Sequence, residues 1–257
     1  HFLVFRKALL TQTGGERSAM DGAQDYDLIL RLTEKAQRIV HVPKVLYYWR
    51  RHGQSTASDM SVKPQALQAG AAAVQEHLNR VGLRGTVEPI QGCPGAYRTR
   101  YEVQGNPLVT VLIPNKDHVQ DLHRCLAALY RNSGWRNMEV VIIENNSTEQ
   151  ETFDFYQKIT HALSDLRVIR YEGAFNFSAI NNFGAQHANG EYLLLLNNDV
   201  EMTTPDFLRE MLSYAQRADV GAVGAKLIYP DRTVEHAGVL VGLGGSAGDN
   251  QKGHPGG

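Results

Sequence analysis

The chain has 257 residues, 42% hydrophobic and 21% charged, which is ordinary globular composition and excludes disorder, collagen and long coiled coils. Twenty-six Lys/Arg against 27 Asp/Glu give a net charge of −1, so no global basic field exists to hold nucleic acid. Two cysteines, Cys93 and Cys125, cannot build a disulfide framework or a four-ligand zinc site; both read as incidental thiols suited to a reducing compartment. No apolar run approaches the roughly 18 residues of a membrane helix.

Charge is unevenly spread. Residues 1–58 carry nine Lys/Arg and five Asp/Glu, residues 59–105 five and four, and residues 106–257 twelve and eighteen. Three segments follow. In residues 1–58, Phe2–Phe5 reads as a strand, Gly14-Gly15 as a turn, and a helix starts around Gln24-Asp25. Ile39–Val42 and Val45–Trp49 read as short β-rich runs. Both ends of the chain look cut, His1–Phe5 reading as a strand entered midway.

Residues 59–105 read as a linker. It holds a helix opening at Pro64 and stopped by Gly82, then strands Thr86–Ile90 and Ala96–Val103 around Gln91–Gly95. From Asn106-Pro107 the pattern alternates: strand Leu108–Ile113 stopped by Pro114, helix Asp121–Tyr130, strand Val140–Ile143, helix Thr152–Leu163 and strand Arg167–Tyr171. Then come helix Ser178–Ala188 capped by Asn176 or Ser178, strand Tyr192–Leu196, helix Pro205–Ala215 and strand Gly221–Ile228. Such alternation predicts a parallel sheet with helices on both faces, which binds ligands at the carboxyl ends of its strands.

Three strand ends there carry polar clusters: Asn115-Lys116-Asp117, Glu144-Asn145-Asn146-Ser147 and Asn197-Asn198-Asp199. Helix capping and Asx-turns account for any one of them, but three on one edge point to a ligand. Asn197 and Asp199 are spaced to put two oxygen donors on one side of a turn, chemistry suited to Mg²⁺ or Mn²⁺ bridging a diphosphate. Glu144 can accept hydrogen bonds from a ribose hydroxyl or a base N–H. No G-x-G-x-x-G follows the first of these strands and no P-loop exists, which disfavours dinucleotide and P-loop readings.

The segments Pro107-Leu-Val-Thr-Val-Leu-Ile-Pro114, Glu139-Val-Val-Ile-Ile-Glu-Asn-Asn-Ser147, Asn176-Phe-Ser-Ala-Ile-Asn-Asn-Phe-Gly184 and Gly190-Glu-Tyr-Leu-Leu-Leu-Leu-Asn-Asn-Asp199 closely resemble the nucleotide-binding half of family 2 glycosyltransferases of the GT-A fold. Val220–Asp231 and Glu235–Gly238 continue the match. Gln24–Leu32 and Tyr48-Trp-Arg-Arg-His-Gly-Gln-Ser55 resemble the other end of such a domain: the helix with the catalytic carboxylate and the closing histidine motif. The order is carboxyl half, linker, amino half, as in bacterial tandem transferases that build O-antigen-like or rhamnose-containing surface polysaccharides. A circularly permuted α/β domain, or a domain-swapped dimer, is an arrangement this order allows.

The resemblance implies a nucleotide-sugar donor, on UDP or dTDP, and a saccharide or lipid-linked acceptor. Pro114, Asn115, Glu144, Asn146, Asn182 and Asn198 would line or support the nucleotide pocket. Asn197, Asp199 and His52 would hold Mg²⁺ or Mn²⁺, and Asp25 would be the general base of an inverting reaction, with Asp27 as its competitor. Glu144 stands where aspartate is usual, and Asn197 replaces the first aspartate of the common D-x-D. A cytoplasmic site, peripheral to the inner membrane face, follows from the same resemblance. The alternatives are a nucleotide-binding fragment without transferase activity and, with only Lys116 to grip phosphates after the first strand, a nucleotidyltransferase. Tyr47, Trp49 and the Phe175–Phe177 pair read as packing residues, and His236 as structural.

Overall fold

The computed structural model describes residues 3–48, 64–241, 247–249 and 251–255. It divides into two compact units, His1–Glu102 and Val103–Gly257.

In the first unit, helix α1 (Lys7–Thr13) ends on Gly14, whose φ of 85° is the left-handed conformation that closes a helix without a Cβ clash. Helix α2 (Gln24–Lys35) follows a single 3-10 turn, and helix α3 (Pro64–Arg80) packs on it. Strands β1 (Gly85–Pro89) and β2 (Tyr97–Tyr101) form an antiparallel hairpin. The hairpin packs on α3 so closely that a Cβ on Gly70 would strike the Tyr97 ring. The helix and hairpin expected of a linker therefore sit in one unit with α1 and α2. Polar contacts hold that unit together. Glu34 of α2 takes His77 (2.7 Å) and Arg80 (2.8 Å) of α3, and Glu76 of α3 takes Arg17 (2.7 Å).

Three strands expected in the first unit do not form among the described residues. Residues 3–6 and 38–48 form no strand. Val4, Ile39, Val40, Val45 and Tyr48 are exposed, the last 94% so, and Tyr47 is exposed rather than packed. A β-prone run becomes a strand only where a neighbouring strand takes its backbone N–H and C=O groups. Trp49 lies outside the described residues.

The second unit is built on a parallel sheet in the order β5 (Leu166–Arg170), β4 (Met138–Glu144), β3 (Val109–Asn115), β6 (Tyr192–Leu195). All four strands come from this unit, so residues 3–48 add no strand to the sheet. Contrary to expectation, Pro114 does not stop β3. The strand runs on to Asn115, because a proline near a strand end forfeits only one ladder donor. Strand alternation sorts the side chains. Val109, Val111, Ile113, Val140 and Ile142 join a large core with α4 (Val119–Asn132), α5 (Gln150–Ala162) and α7 (Phe207–Ala215). Leu112, Val141 and Ile143 face α6 (Phe177–Gln186) instead.

Among the described residues the second face is only partly covered. One helix is about 10 Å wide and spans about two strands, and α6 lies over β3 and β4. Leu193 and Leu195, paired with Thr110 and Leu112 on that face, stay 46% and 54% exposed. The strand expected over Gly221–Ile228 shrinks to β7 (Leu227–Ile228), antiparallel to β8 (Val234–His236) and outside the main sheet. Strands β9 (Val239–Val241) and β10 (Ala247–Asp249) form a last hairpin.

Candidate functional site

Asn115 and Glu144 are the last paired residues of the β3–β4 ladder. Two-residue alternation puts both on the α5 face, one strand spacing apart. Both are almost fully buried, at 3% and 4% exposure. Between them stands Tyr156 of α5, itself buried. Its hydroxyl donates to Glu144 Oε2 (2.8 Å) and accepts from Asn115 Nδ2 (2.7 Å). Burial, reinforced by Glu144, pushes the Tyr156 hydroxyl well above the usual phenol range against the opposing Asn115 amide, so it stays protonated. The other Glu144 oxygen takes the Ser147 N–H (2.6 Å), and the Ser147 hydroxyl donates to Glu144 Oε2 (2.5 Å). Asn115 Oδ1 accepts from Asn198 Nδ2 (2.7 Å), which ties the end of β3 to the loop after β6.

Asp117 clasps the same edge. Its N–H donates to Ser147 Oγ (2.9 Å), and its carboxylate takes the N–H groups of Thr148 (2.9 Å) and Glu149 (3.0 Å) at the start of α5. The Glu149 N–H leads in holding the Asp117 carboxyl below the usual carboxylate range. Asp117, His118 and Asn146 all have φ between 51° and 60°. Left-handed backbone at non-glycine residues costs energy and gathers at functional sites.

The predicted residues separate into two kinds. Asn115, Glu144 and Asn198 are brought together in one hydrogen-bonded cluster. Asn197 and Asp199 flank Asn198 and are exposed. Cys125 of α4 donates its thiol proton to the Asn197 carbonyl at 3.4 Å. Burial, then Asp199, pushes that thiol up to about 12. Pro114 is half-buried and faces α6, opposite to Asn115. Asn146 is exposed and donates to the Gly173 carbonyl (3.0 Å), as does the buried Asn145 (2.9 Å).

Asn182 is exposed on α6, and the amide turned inward is its neighbour Asn181. Asn181 Nδ2 donates to the Phe177 carbonyl (2.8 Å), while its buried Oδ1 has no partner among the described residues. Asn176, not Ser178, caps α6, accepting the Ala179 N–H. Phe175 and Phe177, expected to pack, are 72% and 50% exposed, because the inward stripe of α6 begins only at Ile180.

Asp25 lies in the first unit, half-buried in the opening turn of α2, whose cap position is Ala23. Its competitor Asp27 has no exposed surface. Its carboxylate pairs with Arg31 (2.7 Å) and with Arg17, and Arg31 also donates to the Thr13 and Gly15 carbonyls. Burial opposes ionisation of Asp27, yet the two guanidiniums hold its carboxyl below the usual range. Asp27 is thus an internal strut. His52 lies outside the described residues.

A sequence model described as glycosyl transferase family 2 matches residues 110–239, half of the chain and all of the cluster above. The chain belongs to glycosyl transferase family 2. It is 40% identical over its whole length to "Uncharacterized protein y4gI" of Sinorhizobium fredii, of which it spans 28%. It is 42% identical over 96% of its length to "O-antigen biosynthesis protein RfbC" of Myxococcus xanthus, of which it spans 19%. Among solved structures, a mannosyltransferase from Pyrobaculum calidifontis in complex with GDP-Man and Mn²⁺ is similar at 20% identity and a TM-score of 0.45. That match covers 56% of this chain and 40% of that one. TarS of S. aureus in complex with UDP-GlcNAc aligns at 21% identity and a TM-score of 0.35, over 42% and 30% of the two chains.

The loop after β6 offers oxygen donors in Asn197 and Asp199, the residue types a hard cation takes. Among the described residues no group of three or more His, Cys, Asp or Glu is placed to cage a metal by protein alone. One carboxylate beside one amide, both exposed, still fits Mg²⁺ or Mn²⁺, since Mg²⁺ usually keeps several waters and completes its shell with substrate phosphates. No helix among the described residues is long and apolar enough to cross a membrane.

Proposed function

We propose that the second unit binds the nucleotide of a nucleotide-sugar donor, on UDP or dTDP, at the carboxyl edge of β3, β4 and β6. The observation that carries this is the joining of buried Asn115 and Glu144 to half-buried Asn198 in one hydrogen-bonded network at that edge. Ligands of open parallel sheets bind there. Glu144 and Asn115 set the nucleoside end, with Pro114, Asn146 and Asn182 around it. Asn197 and Asp199 would hold Mg²⁺ or Mn²⁺, which when bound neutralises charge on a leaving diphosphate.

In the whole protein, the proposed reaction inverts the anomeric carbon. The acceptor hydroxyl, of a saccharide or lipid-linked saccharide, gives its proton to the Asp25 carboxylate. Its oxygen bonds to the anomeric carbon as the bond to the diphosphate oxygen breaks. A positioned carboxylate contributes about 10²–10⁴-fold to such a step. The O-antigen name of the Myxococcus relative supports a role in bacterial surface polysaccharide synthesis; a place at the inner face of the membrane is proposed from the family resemblance alone. A second reading, a nucleotide-binding module without transfer, is favoured by one fact: Asp25 and Asp199 belong to different compact units.

The test is a thermal shift with UDP, dTDP and GDP, each with and without Mn²⁺, on wild type and Asp199→Ala. Ligand at 100 times Kd adds about 2.7 kcal/mol, which raises Tm by roughly 5–10 °C. A Mn²⁺-dependent shift confined to the wild type supports the reading, and no shift with any nucleotide refutes it. Donor turnover lost in Asp25→Asn would set aside the module reading.

A further inference from the structure

Tyr156 has one hydroxyl proton, and its polar neighbours include Glu144, Asn115 and Ser147. Glu144, as a carboxylate, can only accept, so the proton goes to it. The hydroxyl must then accept from Asn115 Nδ2, and this fixes which way the Asn115 amide faces. Asn115 Oδ1 in turn faces Asn198 Nδ2. Three hydrogen bonds thus run in one direction, Asn198 to Asn115 to Tyr156 to Glu144, each donor pointing toward the carboxylate. Chains with such a common sense polarise and strengthen one another. Both free ends touch functional ground. Glu144 ends β4, and Asn198 lies between Asn197 and Asp199, whose loop Cys125 also pins through the Asn197 carbonyl.

We infer that Tyr156 is a positioning residue of the donor site: through Glu144 on one side and Asn115 and Asn198 on the other, its hydroxyl sets the nucleoside-facing strand ends against the loop that carries Asn197 and Asp199. The inference rests on the nucleotide reading of this edge. It predicts that the Tyr156 hydroxyl and the Asn198 amide act as one unit in binding, although their atoms do not touch.

The experiment is a double-mutant cycle on the full chain with Tyr156→Phe, Asn198→Ala and the pair. Affinity for UDP, dTDP and GDP with Mn²⁺ is read by calorimetry well below the melting temperature of each variant. Trp135, buried in the large core, reports that the fold is intact. Each single change is expected to weaken binding about tenfold and the pair to weaken it little further, as for residues of one hydrogen-bond network. Tyr156→Phe that melts earlier yet binds with unchanged Kd overturns the inference and leaves the nucleotide site standing, as does a pair whose losses simply multiply. Wild type that binds none of the three nucleotides overturns both.

Discussion

Glu139→Gln should weaken the second unit, and more at neutral pH than in acid. Glu139 sits at the start of β4, at the opposite end of the strand from Glu144. Its Oε1 accepts from Thr110 Oγ1 (2.6 Å) and from the Asn189 N–H (2.7 Å). Its Oε2 accepts from Asn189 Nδ2 (2.9 Å) and pairs with Arg167 at 3.4 Å. One carboxylate thereby joins β3, β4, β5 and the turn into β6. Burial works against the charge, but Thr110 and Asn189 outweigh it, with help from Arg167, and bring the carboxyl from 4.5 down to about 2.

The side chain is 14% exposed, so solvent screening is modest. A depression of that size is worth at most about 3 kcal/mol at pH 7. Because the folded value is the lower one, the contribution is complete above the unfolded value of 4.5 and fades as pH falls toward 2. By pH 3 under about half of it should remain. Urea unfolding at pH 7, 5, 4 and 3, followed by Trp135 fluorescence in a Trp49→Phe background, gives the difference between wild type and variant. A loss of about 1–3 kcal/mol at pH 7 that narrows steadily in acid is expected. A difference independent of pH, or none at pH 7, would refute the account.

Two further substitutions test the scaffold of the site. Asp117→Ala removes the acceptor for the Thr148 and Glu149 N–H groups just before α5 and places alanine at φ 52°, so it should cost about 1–2 kcal/mol, whereas Asp117→Asn, which tolerates that backbone and keeps an acceptor, should cost under about half as much. Urea midpoints compare the two. Gly190→Ala should be severe: its Cβ would lie 2.5 Å from the Thr110 nitrogen and 2.9 Å from the Leu108 carbonyl, backbone atoms that cannot swing aside. A loss of at least about 3 kcal/mol, or failure to accumulate as folded protein, is the expected outcome on expression and melting.

The sequence made the second unit legible because its strands are continuous apolar runs between amphipathic helices, and tertiary packing agrees with both patterns. It misled at Phe2–Phe5, Ile39–Val42 and Val45–Trp49, because β-propensity describes a side chain's fit to a sheet and says nothing of whether a sheet is at hand. At the site, polar residues following apolar strands marked the correct edge. What the pattern could not give is which amide turns inward. Asn181 and Asn182 are adjacent and chemically identical, and a helical offset of 100° separates a buried group from an exposed one. Tyr156 escaped notice for a related reason. Its position, four residues after buried Thr152, looks like core spacing, and only the rule that a buried phenol seeks a partner hints at more.

The uncovered leucines of β6 bear on how the protein behaves in the test tube. Parallel sheets normally have both faces roofed, and β6 is also an outer strand of its sheet among the described residues, with its far-side backbone groups open to any extended segment that meets them. Concentrated solutions are therefore primed for strand addition and clumping along this flank rather than through the folded core. A lysine in place of Leu193, which is already 46% exposed, would act there as a gatekeeper and leave the interior untouched.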